Sequence, residues 1–161
     1  MQTQARSILY KPTTRYMTET EEAEVRTYAD GLLARLPLMA ALEQSEKAIV
    51  DEALNRLMAR HPQLARNHGA DTEQRGRRDM TFVYRYAALA MLLDDQDLMR
   101  DKVAVWMRTI VLALMPKEPM VYGYEQMIEL VRARFDEATA RLLTPHIEVV
   151  LNELSRERGD V

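Results

Sequence analysis

The sequence predicts an all-α domain, on three observations. Apolar residues recur three and four apart along most of the chain, as they do on one buried helix face. No segment shows the strict alternation of a half-buried strand. The chain has only five glycines and six prolines among 161 residues. That is well under the roughly 12 % of average usage, which argues against turn-rich sandwiches and barrels. A chain of this length, 47 % hydrophobic, can bury the core of one domain.

Residues 1–16 form a short arm with Ile8, Leu9, Tyr10 and Tyr16 around Pro12. So many apolar groups dock either on their own domain or on a partner. Thr18-Glu19-Thr20-Glu21 is a capping box, in which hydroxyl and carboxylate satisfy orphan N–H groups reciprocally. It opens a helix whose apolar face is Val25, Tyr28, Ala29, Leu32, Leu33 and Leu36. Pro37 kinks or ends that helix.

A second helix over residues 45–60 buries Ile49, Val50, Ala53, Leu57 and Met58, and Glu52 and Arg56 pair four apart on its outside. Residues 61–72 cluster Asn, His, Gly and Asp and read as a loop. The helix over 73–93 is apolar nearly all round. Met80, Val83, Tyr84, Ala87 and Met91 cover one face, and Phe82, Tyr86, Leu89 and Leu93 cover much of the rest. Such a helix is expected to be central and buried.

Residues 97–114 predict a helix with Leu98, Val103, Trp106, Met107, Ile110, Ala113 and Leu114 inward. Pro116 and Pro119 bound a short connection, and a helix over 120–143 turns Met127, Ile128, Val131 and Phe135 inward. Thr144-Pro145 reads as a cap followed by proline at the first helical position. It opens a last helix on Ile147, Val150, Leu151 and Leu154. Six or seven helices fit a bundle and a globin-like arrangement equally, and periodicity does not choose between them.

Composition excludes several functions. Basic and acidic residues number 22 and 25, for a net charge of −3, so no global basic field holds nucleic acid or an anionic membrane. The chain has no cysteine, which removes disulfides, thiolate metal sites, Cys nucleophiles and thioether-linked cofactors. No apolar run approaches the roughly 18 residues of a membrane span, and the N-terminus lacks a signal-peptide core. A cytoplasmic protein is expected.

No catalytic constellation or metal site is expected. His61, His68 and His146 lack partners at ligand spacing and are expected in solvated or capping roles. None lies in residues 97–114, where an axial haem ligand would be wanted, so a haem sensor is disfavoured. There is no glycine-rich nucleotide fingerprint and no G-x-S-x-G turn. The carboxylate pairs Glu21-Glu22 and Asp94-Asp95 fall at helix ends and on solvated faces. Eleven methionines fill core gaps or line a cavity for a flexible apolar ligand. Arg75, Arg77 and Arg78 beside Asp79 repel one another unless solvated or shared with anions. They form either a solvated helix start or an anion clamp beside an apolar cavity.

That cluster carries a resemblance. Arg78-Asp79-Met80-Thr81-Phe82-Val83-Tyr84-Arg85-Tyr86 resembles the phycobiliprotein pattern C-x-R-D-[LM]-x-x-x-x-R-[LY]. Arg15-Tyr16-Met17-Thr18 is similar to that family's A-R-Y-L-S, and Met58-Ala59-Arg60-His61-Pro62 to its F-x-K-R-P. Leu92-Leu93-Asp94-Asp95 falls on its V-A-G-D turn. The resemblance covers nearly the whole chain. It implies a globin-like, phycobiliprotein-like helical domain at 18–161 behind an N-terminal helical extension at 1–17 that packs on a partner subunit. A homodimer is expected, with Leu9, Tyr16 and Arg85 at the contact.

The departures bear on function. Gly76 stands where the family attaches its bilin through cysteine. Val83 and Val111 replace frequent tyrosines, and Lys11 replaces a frequent acid of the extension. These changes argue against thioether attachment and against ring-building light-harvesting assembly. The family's propionate-binding arginine and pyrrole-facing aspartate fall on Arg78 and Asp79. A carboxylate there supplies acceptors without donors.

The chain is similar to the cysteine-less, phycobiliprotein-like globins associated with bilin biosynthesis in non-photosynthetic bacteria. That likeness implies noncovalent binding of a linear tetrapyrrole by Gly76, Arg77, Arg78, Asp79 and Phe82, with bilin-making enzymes as partners. The alternative is a dimeric interaction module that uses the globin shape as scaffold only.

Overall fold

The computed structural model describes residues 15–69, 71–114 and 116–156. Leu9, Lys11 and the rest of the arm to residue 14 lie outside the described residues. All regular structure among those described is helical: α1 (Glu19–Arg35), α2 (Leu38–Arg60), α3 (Gln63–His68), α4 (Thr72–Leu93), α5 (Gln96–Met99), a π-helical turn (Arg100–Ala104), α6 (Val105–Leu114), α7 (Lys117–Arg134) and α8 (Glu137–Ser155).

Helix α1 starts as its sequence dictates. The Thr18 hydroxyl accepts from the Glu21 N–H, and Glu21 accepts from the Thr18 N–H at 2.8 Å. Arg15 closes the motif with two bonds to the same carboxylate, at 2.8 and 3.0 Å. The apolar face of α1, however, is only partly covered: Val25, Tyr28 and Leu32 are part-buried against the body. No residue of α1 is buried, and Leu33 and Leu36 are 61 % and 48 % exposed. The Arg35 Nε ties α1 to the body by donating to the Leu92 carbonyl at 3.1 Å.

The body is α2, α4, α7 and α8, which pack against one another most extensively. Helix α2 begins at Leu38 rather than Ser45, because Leu42 and Ser45 extend the buried stripe of Ile49, Val50, Ala53 and Leu57 backward. Each such aliphatic side chain contributes about 1.5–3 kcal/mol of burial. Pro37 is a boundary, not a kink. The expected loop at 61–72 contains α3, held by Leu64, which is buried; it stops at Gly69, whose φ of 86° suits a residue without Cβ.

Tyr84 and Tyr124 lie at the centre, both fully buried. The Tyr84 hydroxyl is 3.0 Å from the Ser45 hydroxyl, and the Tyr124 hydroxyl donates to the Met107 sulfur at 3.8 Å. Gly123 lets α7 cross closely: a Cβ there would stand 2.7 Å from the Met80 Cε.

Several sequence expectations are corrected. The last long break falls at Phe135–Asp136, where Asp136 caps α8 by accepting from the Thr139 N–H at 2.7 Å. Thr144-Pro145 lies inside α8. Interior proline costs about 3 kcal/mol, and here it is offset by one buried stripe, Ala140, Leu143, Ile147, Val150 and Leu154, that runs straight through it. Pro119 is in the first turn of α7, so the preceding connection is shorter than expected.

His146 is buried in the body of α8, and His61 is buried at the C-terminus of α2 with its ring edge-on to Tyr122 at 5.6 Å. Neither is solvated. Asp95 is also buried, capping α5 through the Leu98 N–H at 3.2 Å. Trp106 points outward, 44 % exposed. The inward stripe there is Met99, Val103, Ala104 and Met107, which leaves Trp106 on its flank.

Candidate functional site

Successive residues fan around a helix by about 100°, so the 75–79 cluster cannot act as one patch. Gly76 faces the core, where an added Cβ would lie 3.1 Å from the Leu54 Cδ1. Arg77 turns toward α2 and is ion-paired with Asp51 and, at 3.1 Å, with Glu73. Arg78 points outward, with its Nε 3.6 Å from the Asp79 Oδ1. Asp79 is half-buried on the flank nearest Tyr124. Burial raises its carboxyl above the ordinary range, and the charges of Arg78 and Arg75 oppose the rise. Burial also raises the Tyr124 phenol, and the Asp79 charge adds to it.

Two features meet on the outer side of α4. One is an open cleft of about 770 Å³, bordered by Arg75, Arg77, Arg78 and Arg85 with Thr81 and Phe82. The other is an aromatic group. The Phe82 ring lies 4.6 Å from Tyr86 and 5.7 Å from Trp106, with Phe82 itself 36 % exposed. The central helix is therefore not buried all round: Phe82 and Leu89 remain open.

The cleft brings together Arg77, Arg78 and Phe82, while Gly76 and Asp79 are not on its border. At the expected dimer contact, Tyr16 is 97 % exposed. Arg85 is held by two bonds to Glu46, at 2.7 and 2.8 Å. Leu9 lies outside the described residues.

Sequence reasoning missed Trp106 as part of this surface, and Arg85 as part of the cleft. For Arg85 a signal existed: Arg78, Phe82 and Arg85 are spaced four and three apart, which puts them on one helix face; for Trp106, on another helix, there was none. Chemically, the arrangement offers guanidiniums for anions, an open aromatic face and a carboxylate acceptor. It suits a flat apolar ligand bearing carboxylates.

The comparisons agree with this architecture. A family model described as "Phycobilisome protein" matches residues 10–154. The allophycocyanin subunit beta-18 of Synechocystis sp. is 27 % identical over 157 residues, which span 94 % of this chain and 92 % of that protein. The protein of the same name from Aglaothamnion neglectum is 23 % identical over 143 residues, covering 86 % and 84 % of the two chains.

Proposed function

The chain belongs to the phycobilisome protein family, and from that premise we propose that it is a non-catalytic, globin-like protein that holds a linear tetrapyrrole without a covalent bond. One observation carries the reading: a half-buried carboxylate, an exposed guanidinium and an open aromatic group adjoin on one helix of a chain that has no cysteine.

These residues fit the chemistry of the group. Arg78, whose guanidinium is mostly exposed, meets a propionate. Arg77 joins it by sharing the charge it now gives Asp51 and Glu73. Asp79 accepts from pyrrole N–H groups, and its raised affinity for a proton favours a ligand that brings its own donors or positive charge. Phe82 covers the apolar ring system, while Gly76, packed toward Leu54, lies off the border of the cleft. When bound, the pigment supplies visible absorption. The protein supplies orientation, exclusion of water and counter-charge.

The finer reading is a homodimer built on the N-terminal extension, Tyr16 and Arg85. It works in the cytoplasm of a bacterium beside bilin-making enzymes rather than in light harvesting. The part of the α1 apolar face that stays open, with Leu33 and Leu36 exposed, supports a partner there. The same face favours a second reading, an interaction module without pigment.

Titration with biliverdin and phycobilins tests the first reading. A red-shifted, sharpened band is expected, weakened by Asp79→Ala; no band with any bilin at micromolar protein would remove it. Deleting residues 1–16 separates the two readings. A pigment carrier keeps its band, whereas an interaction module loses its partner and shows no band at any stage.

A further inference from the structure

We infer that a second cleft, between the end of α2 and the start of α7, binds a small zwitterion: an amino acid-like molecule with an anionic group at one end and a cationic nitrogen at the other. This cleft holds about 720 Å³ and shares no bordering residue with the one along α4. One wall is a single stripe of α7, made of Glu118, Val121, Tyr122 and Glu125, spaced three, one and three apart. Facing it are Arg60 and His61, at the C-terminal end of α2.

The two helices run antiparallel here, and their polar rungs close until the cleft begins. Arg56 donates to Gln126 at 3.0 Å and lies 3.8 Å from Glu129. One turn onward in α2 is Arg60, and one turn back in α7 is Glu125. Their charges match, yet neither makes an ion pair or hydrogen bond among the described residues. His61 carries a further unused group. It is 7 % exposed and packs edge-on against Tyr122. The Gln63 amide nitrogen, 3.4 Å away, can only donate, so Nδ1 accepts and the ring proton sits on Nε2, which meets no acceptor among the described residues. A nearly buried ring N–H beside an unpaired guanidinium suits a carboxylate. Lys117, also at the cleft, is committed to the Ser155 carbonyl at 3.0 Å.

The occupant follows from the balance of charge. A plain anion would meet Arg60 and His61, but also the carboxylates of Glu118 and Glu125, which have no partner among the described residues. A plain cation would meet those carboxylates, but also Arg60 and Lys117. A molecule bearing both charges sets each opposite its counterpart, with its carbon chain along Val121 and Tyr122.

The test titrates the full chain with γ-aminobutyrate, δ-aminovalerate and ε-aminocaproate, with valerate and pentylamine as singly charged controls. The His61 ring proton is followed by NMR, and His61→Gln identifies its signal among the three histidines. At least one amino acid is expected to shift that signal saturably, binding about tenfold or more tighter than either control. Arg60→Gln and Glu125→Gln should each weaken it about tenfold, the loss of one charge-assisted hydrogen bond. Their melting temperatures should match the wild type, since both side chains are exposed. Arg141→Gln, about 20 Å along α8 from Ser155, should change nothing.

No saturable shift with any of the three amino acids overturns the inference. So does valerate or pentylamine binding as tightly, or full affinity in either Arg60→Gln or Glu125→Gln. None of these results touches the pigment reading, which concerns the cleft along α4.

Discussion

Burial raises the Asp79 carboxyl above its ordinary 3.8, against the opposing charges of Arg78 and Arg75. The folded state therefore binds the Asp79 proton more tightly than the unfolded chain does. The resulting stability is present below about pH 3.8 and is lost as the pH rises through the folded value. At neutral pH the ionised carboxylate is a cost to folding. Asp79→Asn is accordingly expected to melt at or above the wild-type temperature at pH 7, while binding biliverdin more weakly. A variant that loses both stability and ligand would show Asp79 to be structural.

His146 behaves in the opposite sense. Burial lowers its imidazole below 6.5; Arg35 lowers it further, and Asp94 opposes. The unfolded chain takes up a proton first, so stability falls as the pH drops through about 6.5 and levels off below the folded value. His146→Gln should flatten that slope in urea unfolding followed between about pH 7.5 and 5.5.

At the scale of the element, α8 contains a removable defect. Pro145 lacks the N–H that an α-helix would direct to residue 141, and α8 keeps its course only because its buried stripe continues on both sides. Pro145→Ala should stabilise the protein by about 1–2 kcal/mol, the helical gain less the added freedom of the unfolded chain; urea denaturation measures it. Helix α1 offers the contrasting case. Thr18→Ala should cost about 1 kcal/mol of local helix stability and reduce helicity by circular dichroism. Because no residue of α1 is fully buried, the midpoint for the body should move little.

The same two helices show what was legible. The α2 stripe and the Thr18 cap were readable because each depends on residues near in sequence. The α7–α8 break was misread because Thr144-Pro145 carries a local start signal that tertiary burial overrides. Asp136, an equally good cap, owes its role to the break itself. Trp106 was misplaced because periodicity puts it on the edge of the inward stripe. Whether an edge position meets protein or water depends on which helix packs beside it.

At the scale of the molecule, the family's helical body is kept in a chain that has no cysteine. The all-α class and family likeness were visible in the spacing of R-D-M and its flanking motifs. The cleft was not, because sequence does not show which guanidiniums are already engaged: Arg77 and Arg78 both border it, one held by Asp51 and the other open to solvent. On the proposed pigment reading, a chain with no cysteine retains its ligand through burial and charge alone. The pigment should therefore stay through gel filtration under native conditions and leave on unfolding.

That is the most direct measurement: incubate the full chain with biliverdin, pass it through gel filtration in native buffer, then repeat in denaturant. The account expects visible absorbance co-eluting with the native protein and separated from it in denaturant. Native protein that elutes colourless, with all pigment in the small-molecule fraction, would contradict it.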